Sequence, residues 1–251
     1  MRARERSSRG RNARSPFPEG GRARAIAFAL ALAVAAAGVV PVRTAAWPAP
    51  GGAPELAPYR ALARNAADAE GALAAARLGL AMALSDAGEL PRYVKVPEWP
   101  GSPRPVYATL VRGRTTRACV GTDVALGGSL AATLSRLGER LADTDLRRPP
   151  VRAEELDTLR LVVAFASDPV AVRDPMTVDP LREGLRVETE RGAVAFLPGE
   201  ARTIGWALRE AKRIGVTAGV SASEVRYSRF SVVTVSGPAT LQSHRSAAVS
   251  P

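Results

Sequence analysis

The sequence contains a single cysteine, Cys119, and a single histidine, His244, among its 251 residues. One thiol cannot form an internal disulfide, and zinc or iron sites built from several thiolates or imidazoles need more of these residues than the chain has. His244 stands in a polar C-terminal stretch, so we expect no histidine-activated nucleophile in the folded part of the chain. The sequence therefore predicts no metal site and no cofactor.

A basic stripe along the folded part of the chain is also lacking. The formal net charge is +11, but residues 1–24 hold eight arginines and two glutamates and so carry +6 of it. Elsewhere arginines alternate with acids, as in DPLREGLRVETERG, which is typical of a solvated surface. A nucleic-acid-binding domain would cluster its basic residues. We expect no nucleic-acid partner.

Long hydrophobic runs are scarce, and the longest uncharged one comprises residues 25–40. Its sixteen residues lie between the roughly 7 to 15 of a secretory h-region and the roughly 20 of a membrane-spanning helix. Small residues before Trp47 suit cleavage after Ala46, and an uncleaved N-terminal anchor through residues 25–40 is the alternative. Because the arginine-rich flank stays in the cytoplasm, both outcomes predict an exported protein, which is periplasmic, extracellular or anchored to the membrane.

Composition divides the chain into four segments. Residues 1–46 are the arginine-rich flank with its signal peptide or anchor, and residues 47–58 are dense in Pro and Gly and predict a linker. Residues 59–235 carry the apolar patterns of a folded domain. Residues 236–251 show little apolar periodicity and predict a flexible tail.

The domain mixes helical and strand patterns. Residues 69–88 are Ala-rich and predict a helix, and leucines spaced by four, three and four residues predict an apolar helix face at Leu130, Leu134, Leu137 and Leu141. The stretch PVYATLVRGRTTRACVG predicts a hairpin, and TLRLVVAFA predicts a strand covered on both faces.

Further along the chain, LRVETERGAVAFL predicts a second hairpin that turns at Arg191 and Gly192. Residues 202–214 predict an amphipathic helix that ends at Gly215, and VRYSRFSVVTV predicts the last strand. Hairpins with interspersed helices indicate an α+β fold, with a largely antiparallel sheet and packed helices.

The stretch around Cys119 admits two interpretations. Side chains two apart in a strand share a face, so Arg117 can stabilise a Cys119 thiolate, the nucleophilic and redox-active form. Thr122 offers a hydroxyl, and Gly121 permits a turn whose N–H groups bind an anion. In the alternative interpretation, Cys119 is a small apolar residue packed at a crowded strand end.

Acidic residues elsewhere suit structural roles. Glu154, Glu155 and Asp157 stand where a short helix begins, and we expect them to cap it. Three aspartates, at 168, 174 and 179, stand in a proline-punctuated loop and predict turns.

Three motifs resemble the AMMECR-type domain family across most of residues 70–235. Residues 116–122, TRACVGT, are similar to the family heptad Leu-Arg-Gly-Cys-Ile-Gly-Thr at four positions, although Ala118 replaces its glycine. The stretch DLRRPP resembles Asp-Pro-Arg-Phe-Pro-Pro and matches it at Asp145, Arg147, Pro149 and Pro150. REGLRVETERGAVAFLP is similar to the family's Gly-Leu strand, hairpin and Leu-Pro ending.

The resemblance implies one compact domain of a larger and a smaller subdomain, with the cysteine motif between them, and no established activity. We expect a binding or accessory module that holds a small anionic ligand or a partner protein. The predicted binding residues are Arg117, Cys119, Gly121, Thr122 and Arg147. Two alternatives are an enzyme with Cys119 as its catalytic nucleophile or redox thiol, and a degenerate domain with only a structural or envelope-interaction role.

Overall fold

The predicted α+β class is confirmed by the helices and strands of the computed structural model, which describes residues 53–84, 96–145 and 148–240. The helices are α1 (Ala57–Arg64), α2 (Ala66–Leu84), α3 (Leu130–Leu141) and α4 (Ile204–Arg213). The strands are β1 (Val106–Arg112), β2 (Thr115–Thr122), β3 (Arg160–Ala166), β4 (Val170–Val172), β5 (Gly184–Thr189), β6 (Gly192–Phe196), β7 (Arg226–Phe230) and β8 (Val232–Pro238).

The strands form two antiparallel sheets. Sheet A has the order β2-β1-β3-β8, and sheet B has the order β4-β7-β5-β6. Helices α2 and α3 pack on one face of sheet A, and α4 packs on sheet B through Ile204, Ala207 and Ala211. The remaining faces meet in a small apolar cluster, in which the rings of Tyr107 and Phe230 stack with centroids 5.8 Å apart.

The core of sheet A depends on close helix packing. All four leucines of the predicted stripe on α3 are buried against α2, as the 3.6-residue period requires. Glycines let the helix backbones approach: a Cβ on Gly79 would stand 1.8 Å from the carbonyl oxygen of Ser135, and one on Gly138 would stand 1.9 Å from that of Ala76. Strand β3 is covered on both faces, as predicted, because its alternate residues enter the two different clusters.

The prediction that VRYSRFSVVTV forms a single last strand is wrong. VRYSRFSVVTV forms β7 and β8, which belong to different sheets, and the chain crosses from sheet B to sheet A at Ser231. The chain leaves sheet A at Ser167, whose N–H donates to the Ser231 carbonyl at 2.9 Å, while the Ser231 N–H donates to the Ser167 hydroxyl at 3.0 Å. No glycine or proline marks the crossing, so the sequence pattern shows no break there.

Smaller differences between the predictions and the structure concern where elements and segments begin and end. The second hairpin turns at Glu190 and Arg191, one residue earlier than expected. Residues 54–58 are helical, and Leu56 is fully buried in the expected linker segment. At the other end β8 continues to Pro238, and Ala239 is buried while its N–H donates to the Leu159 carbonyl. In both places apolar side chains join the core although Pro and Gly surround them.

The described residues contain no helix that is long and apolar enough to cross a membrane. The apolar run of residues 25–40 and the arginine-rich flank lie outside the described residues, as does most of the tail. Export and anchoring therefore stay predictions.

Candidate functional site

Cys119 lies in the second half of β2, at the edge of sheet A, and its side chain is partly exposed. The Thr109 hydroxyl on β1 donates to its Sγ at 3.2 Å. The main-chain N–H of Cys119 points out from the sheet and donates to Oδ2 of Asp145 at 2.8 Å. The structure thus brings together two motifs, TRACVGT and DLRRPP, that are separated by more than twenty residues.

Arg117 does not share the surroundings of Cys119, contrary to the expected alternation. The pairing of β1 with β2 shifts at this point, since Leu110 faces Ala118 while Val111 faces Thr116, which leaves Arg117 as the extra residue of a β-bulge. A bulge redirects the side chain of its extra residue. The guanidinium of Arg117 turns to the loop that follows α3 and lies outside the cavity that Cys119 lines.

The partner of Arg117 is Glu155. Its Nε donates to Glu155 Oε2 at 2.8 Å and its Nη2 to Oε1 at 2.7 Å, in the bidentate geometry that makes such pairs strong. Nη1 and Nη2 also donate to the carbonyls of Pro149 and Pro150, each at 2.9 Å. Arg117 therefore fastens the loop of residues 149–155 to β2.

Glu155 was expected only to cap the short helix at residues 153–158. It does accept a hydrogen bond from the Arg152 N–H at 3.1 Å, but Arg117 and the more exposed Arg112 bind the same carboxylate. The hydrogen bond from Arg117 is the main cause that lowers the pKa of Glu155 from 4.5 to about 2. Glu155 is therefore ionised throughout the neutral and mildly acidic range.

Gly121 and Thr122 have structural partners as well. Gly121 lies opposite Tyr107, and a Cβ at this position would stand 2.2 Å from the Tyr107 ring, so the ring itself requires glycine here. The Thr122 hydroxyl donates to the Val124 carbonyl at 2.9 Å and accepts from the Val124 N–H at 3.2 Å. Both residues nevertheless line the cavity beside Cys119. Arg147 lies outside the described residues.

A cleft of about 350 Å³ opens between the edges of the two sheets. Polar residues from β2, the end of α3 and β5 form one part of its lining, and small or apolar residues form the rest. The polar group comprises Cys119, Thr122, Asp123, Arg140, Thr144, Asp145 and Arg186, and the others are Tyr107, Val120, Gly121, Ala193, Val194, Ala195, Ile214 and Val216.

Two arginines supply the positive charge of the cleft. Arg186 donates to Asp123 at 2.6 Å and to Glu188 at 3.1 Å, and its side chain is mostly buried. Arg140, at the end of α3, is exposed, and its guanidinium makes no hydrogen bond or ion pair with any residue in the described part of the chain. Arg140 thus adds a positive charge at the edge of the cleft, whose lining also holds the carboxylates of Asp123 and Asp145.

Tyr107 forms the inner wall. Burial raises the pKa of its phenol to about 12, and the nearby carboxylate of Asp123 contributes in the same direction. The phenol consequently stays protonated at neutral pH and is a hydrogen-bond donor rather than a base. Sequence reasoning missed Tyr107, Arg140 and Arg186. The signal for Tyr107 was its place in the hairpin opposite Gly121, and for Arg186 it was a charge within the buried strand GLRVET.

A second, more open depression of about 690 Å³ lies beside the Arg117–Glu155 pair. Arg112, Arg152, Glu154, Glu155 and Thr158 line it. Its most buried carboxylate, Glu155, already accepts from Arg117 and Arg112, which leaves this carboxylate little capacity to bind a ligand. Among the residues that the structure describes, no three His, Cys, Asp or Glu side chains are grouped to hold a metal ion.

No curated protein matches this chain. Solved structures do, among them an uncharacterized protein from Pyrococcus horikoshii, which is 19% identical over 70% of this chain and 89% of its own, with a TM-score of 0.46. The sequence model of one family, AMMECR1, matches residues 73–235 and confirms the resemblance seen in the motifs. Because this match spans more than half of the chain, the protein belongs to the AMMECR1 family.

Proposed function

We propose that the protein is a binding or accessory module that holds a small anionic ligand, or an anionic group of a partner protein, in the cleft between the two sheets. The observation that carries this proposal is that Arg140, whose guanidinium makes no hydrogen bond or ion pair with the described residues, lines the same cavity as Arg186, a neutral phenol and a thiol. Ligand sites typically combine an apolar wall with a few convergent polar groups. The cleft has this composition.

The cleft has a built-in reporter in Cys119. Because it is the only cysteine of the chain and lines the cleft, iodoacetamide labels one site, and an occupied cleft should protect that site. We expect at least one member of a panel of acetate, succinate, citrate, inorganic phosphate and free amino acids to slow the labelling and to raise the melting temperature. Native mass spectrometry of protein purified from its own host would reveal a ligand that the panel omits.

Arg140→Gln should weaken the protection, while Arg136→Gln, one turn earlier on α3 and outside the cleft lining, should leave it unchanged. Uniform labelling rates and melting temperatures across the panel, together with no retained mass in the native protein, would contradict a ligand-binding role.

An enzyme that uses Cys119 is the second candidate. The supporting observation is the hydroxyl of Thr109 donating to Sγ at 3.2 Å, since a donor at sulfur favours the thiolate. With His244 in the tail, Cys119 has no imidazole to serve as its general base within the described residues. Alkylation at pH 6 that is faster than that of a small free thiol would favour this candidate over a binding module.

We also propose that the domain acts outside the cytoplasm. The support is the arginine-rich flank followed by sixteen uncharged residues. A fusion of residues 1–60 to a reporter that works only after export should be active, and a fusion that begins at residue 47 is the matched control. An inactive long fusion would refute export.

A further inference from the structure

The cleft lies between two strand edges, one from each sheet. β2 is the first strand of sheet A and β6 is the last strand of sheet B, and within the described residues no further strand pairs with either. The outer edge of such a strand carries main-chain N–H and C=O groups that an extended peptide can use. Residues 119–122 of β2 and 193–195 of β6 line the cleft.

Within the described residues, the edge of β2 is blocked at one point near the centre of the cleft, whereas the edge of β6 is not. Asp145 already accepts from the N–H of Cys119 and so occupies the edge of β2 at that point. Across the described chain, the main chain of residues 193–195 makes no hydrogen bond outside the pairing of β6 with β5. The peptide-pairing surface of the cleft is therefore β6.

β6 also lacks the features that protect strand edges. Natural edges are usually blocked by charged side chains, by proline or by a bulge. The sequence of β6 is GAVAF, its pairing with β5 has no register shift, and Ala193 is exposed.

Arg140 complements a terminal carboxylate, because a guanidinium binds a carboxylate through two parallel hydrogen bonds. Arg186 also reaches the cleft, although its Nε and Nη1 already donate to Glu188 and Asp123. Ile214, Val216 and Val194 form an apolar wall that suits an aliphatic side chain. The volume of about 350 Å³ is at the small end of the ~300–1,000 Å³ typical of ligand sites. It fits the last few residues of a peptide and excludes a folded domain.

We propose that the ligand is the free C-terminal end of an extended peptide, which pairs with β6 as an added strand and places its α-carboxylate against Arg140 and Arg186. This inference rests on the proposed function and specifies its ligand. The last side chain of the peptide lies against Ile214 and Val216, and Cys119 lies behind the backbone of the peptide.

The test compares peptide pools that differ only at the carboxylate. Fluorescein-labelled hexapeptides, random at their last four positions, are titrated with the full-length protein as free acids and as C-terminal amides, and binding is followed by anisotropy. We expect the free acids to bind at least tenfold more tightly than the amides and to slow the alkylation of Cys119. N-methylation of the peptide backbone should also weaken binding at least tenfold, because it removes the donors that pair with β6.

Two measurements on the protein complete the test. Arg140→Gln should remove the preference for the free acid, and Arg136→Gln should preserve it. Bound peptide should slow hydrogen exchange at the amides of residues 193–195. Equal binding of acids and amides, or unchanged exchange in β6, would overturn the inference. If the small anions of the panel protect Cys119 while no peptide binds, the inference fails and the proposed function stands. If neither binds and the native protein retains no ligand mass, both fail.

Discussion

Replacing Arg117 by glutamine should destabilise the fold rather than alter the reactivity of Cys119. The substitution removes a bidentate ion pair with Glu155 and two hydrogen bonds to loop carbonyls. The pKa of Glu155 falls from 4.5 to about 2 in the fold, and at ~1.4 kcal/mol per unit the whole shift is on the order of 3 kcal/mol, of which Arg117 is the largest cause beside Arg152 and Arg112. The two side chains are 14% and 21% exposed, so solvent reduces the value, and we expect about 2 kcal/mol.

A loss of this size should lower the melting temperature by about 4 to 8 °C for a domain of this length. Arg112→Gln is the matched control, because Arg112 donates to the same carboxylate at 2.9 Å from a side chain that is 53% exposed. Exposed ion pairs contribute roughly 0 to 1 kcal/mol, so the control should melt close to the wild type.

The effect should depend on pH in a defined direction. The folded-state pKa of Glu155 is depressed, so its ion pair stabilises the fold fully above about pH 4.5 and progressively less as the pH falls toward 2. The difference in melting temperature between wild type and Arg117→Gln should narrow over that range. A variant that melts within 1 °C of the wild type at pH 7 would refute the structural role. Slower alkylation of Cys119 at pH 6 in the variant would instead support the expectation that Arg117 activates the thiol.

Three further substitutions test the packing. Gly121→Ala should cost about 1 to 3 kcal/mol in denaturant unfolding, because its Cβ would stand 2.2 Å from the Tyr107 ring. Gly138→Ala should lower the free energy of unfolding by a similar amount, because its Cβ would stand 1.9 Å from the Ala76 carbonyl oxygen. We expect this clash to exceed the ~1 kcal/mol by which alanine is favoured over glycine in a helix. Cys119→Ser should change the free energy of unfolding by less than about 1 kcal/mol, because the serine hydroxyl can replace Sγ as the acceptor from Thr109 and the site is partly exposed.

The glycine predictions share one control. Gly101→Ala places its Cβ 3.5 Å from Pro58, an ordinary contact, and should be close to neutral. Equal stability of Gly121→Ala and Gly101→Ala would show that the Tyr107 ring moves freely. A loss above 2 kcal/mol for Cys119→Ser would restore the interpretation of Cys119 as a packed apolar residue.

Sequence patterns predicted those elements whose periodicity is unbroken. The leucines of α3 recur with the helical period and are buried as expected, and the continuous apolar run of β3 correctly indicated a strand covered on both faces. The crossing at Ser231 could not be predicted, because strand-forming residues continue on both sides of it and no glycine or proline marks the change of sheet.

The candidate site was predictable only in part. The heptad located Cys119, Gly121 and Thr122 in the lining of the cleft, but the orientation of Arg117 depends on a bulge that arises from the pairing of β2 with β1. Arg140 lies on a different element from Arg186, and tertiary packing alone brings the two to one cavity. Local periodicity contains no information about such distant pairs.

The hydrogen-bonded pair of Ser167 and Ser231 makes sheet B and α4 an insertion between β3 and β8, because both ends of that segment meet at one place. The four strands of sheet A and the packing of α2 and α3 involve no residue from 168–230. The cleft, in contrast, has Cys119 on sheet A and the edge of β6 on the insertion. Exchange of the inserted segment would therefore replace one side of the cleft while leaving the cysteine motif in place, provided that the new segment keeps the stacking on Tyr107 and the ion pair with Asp123.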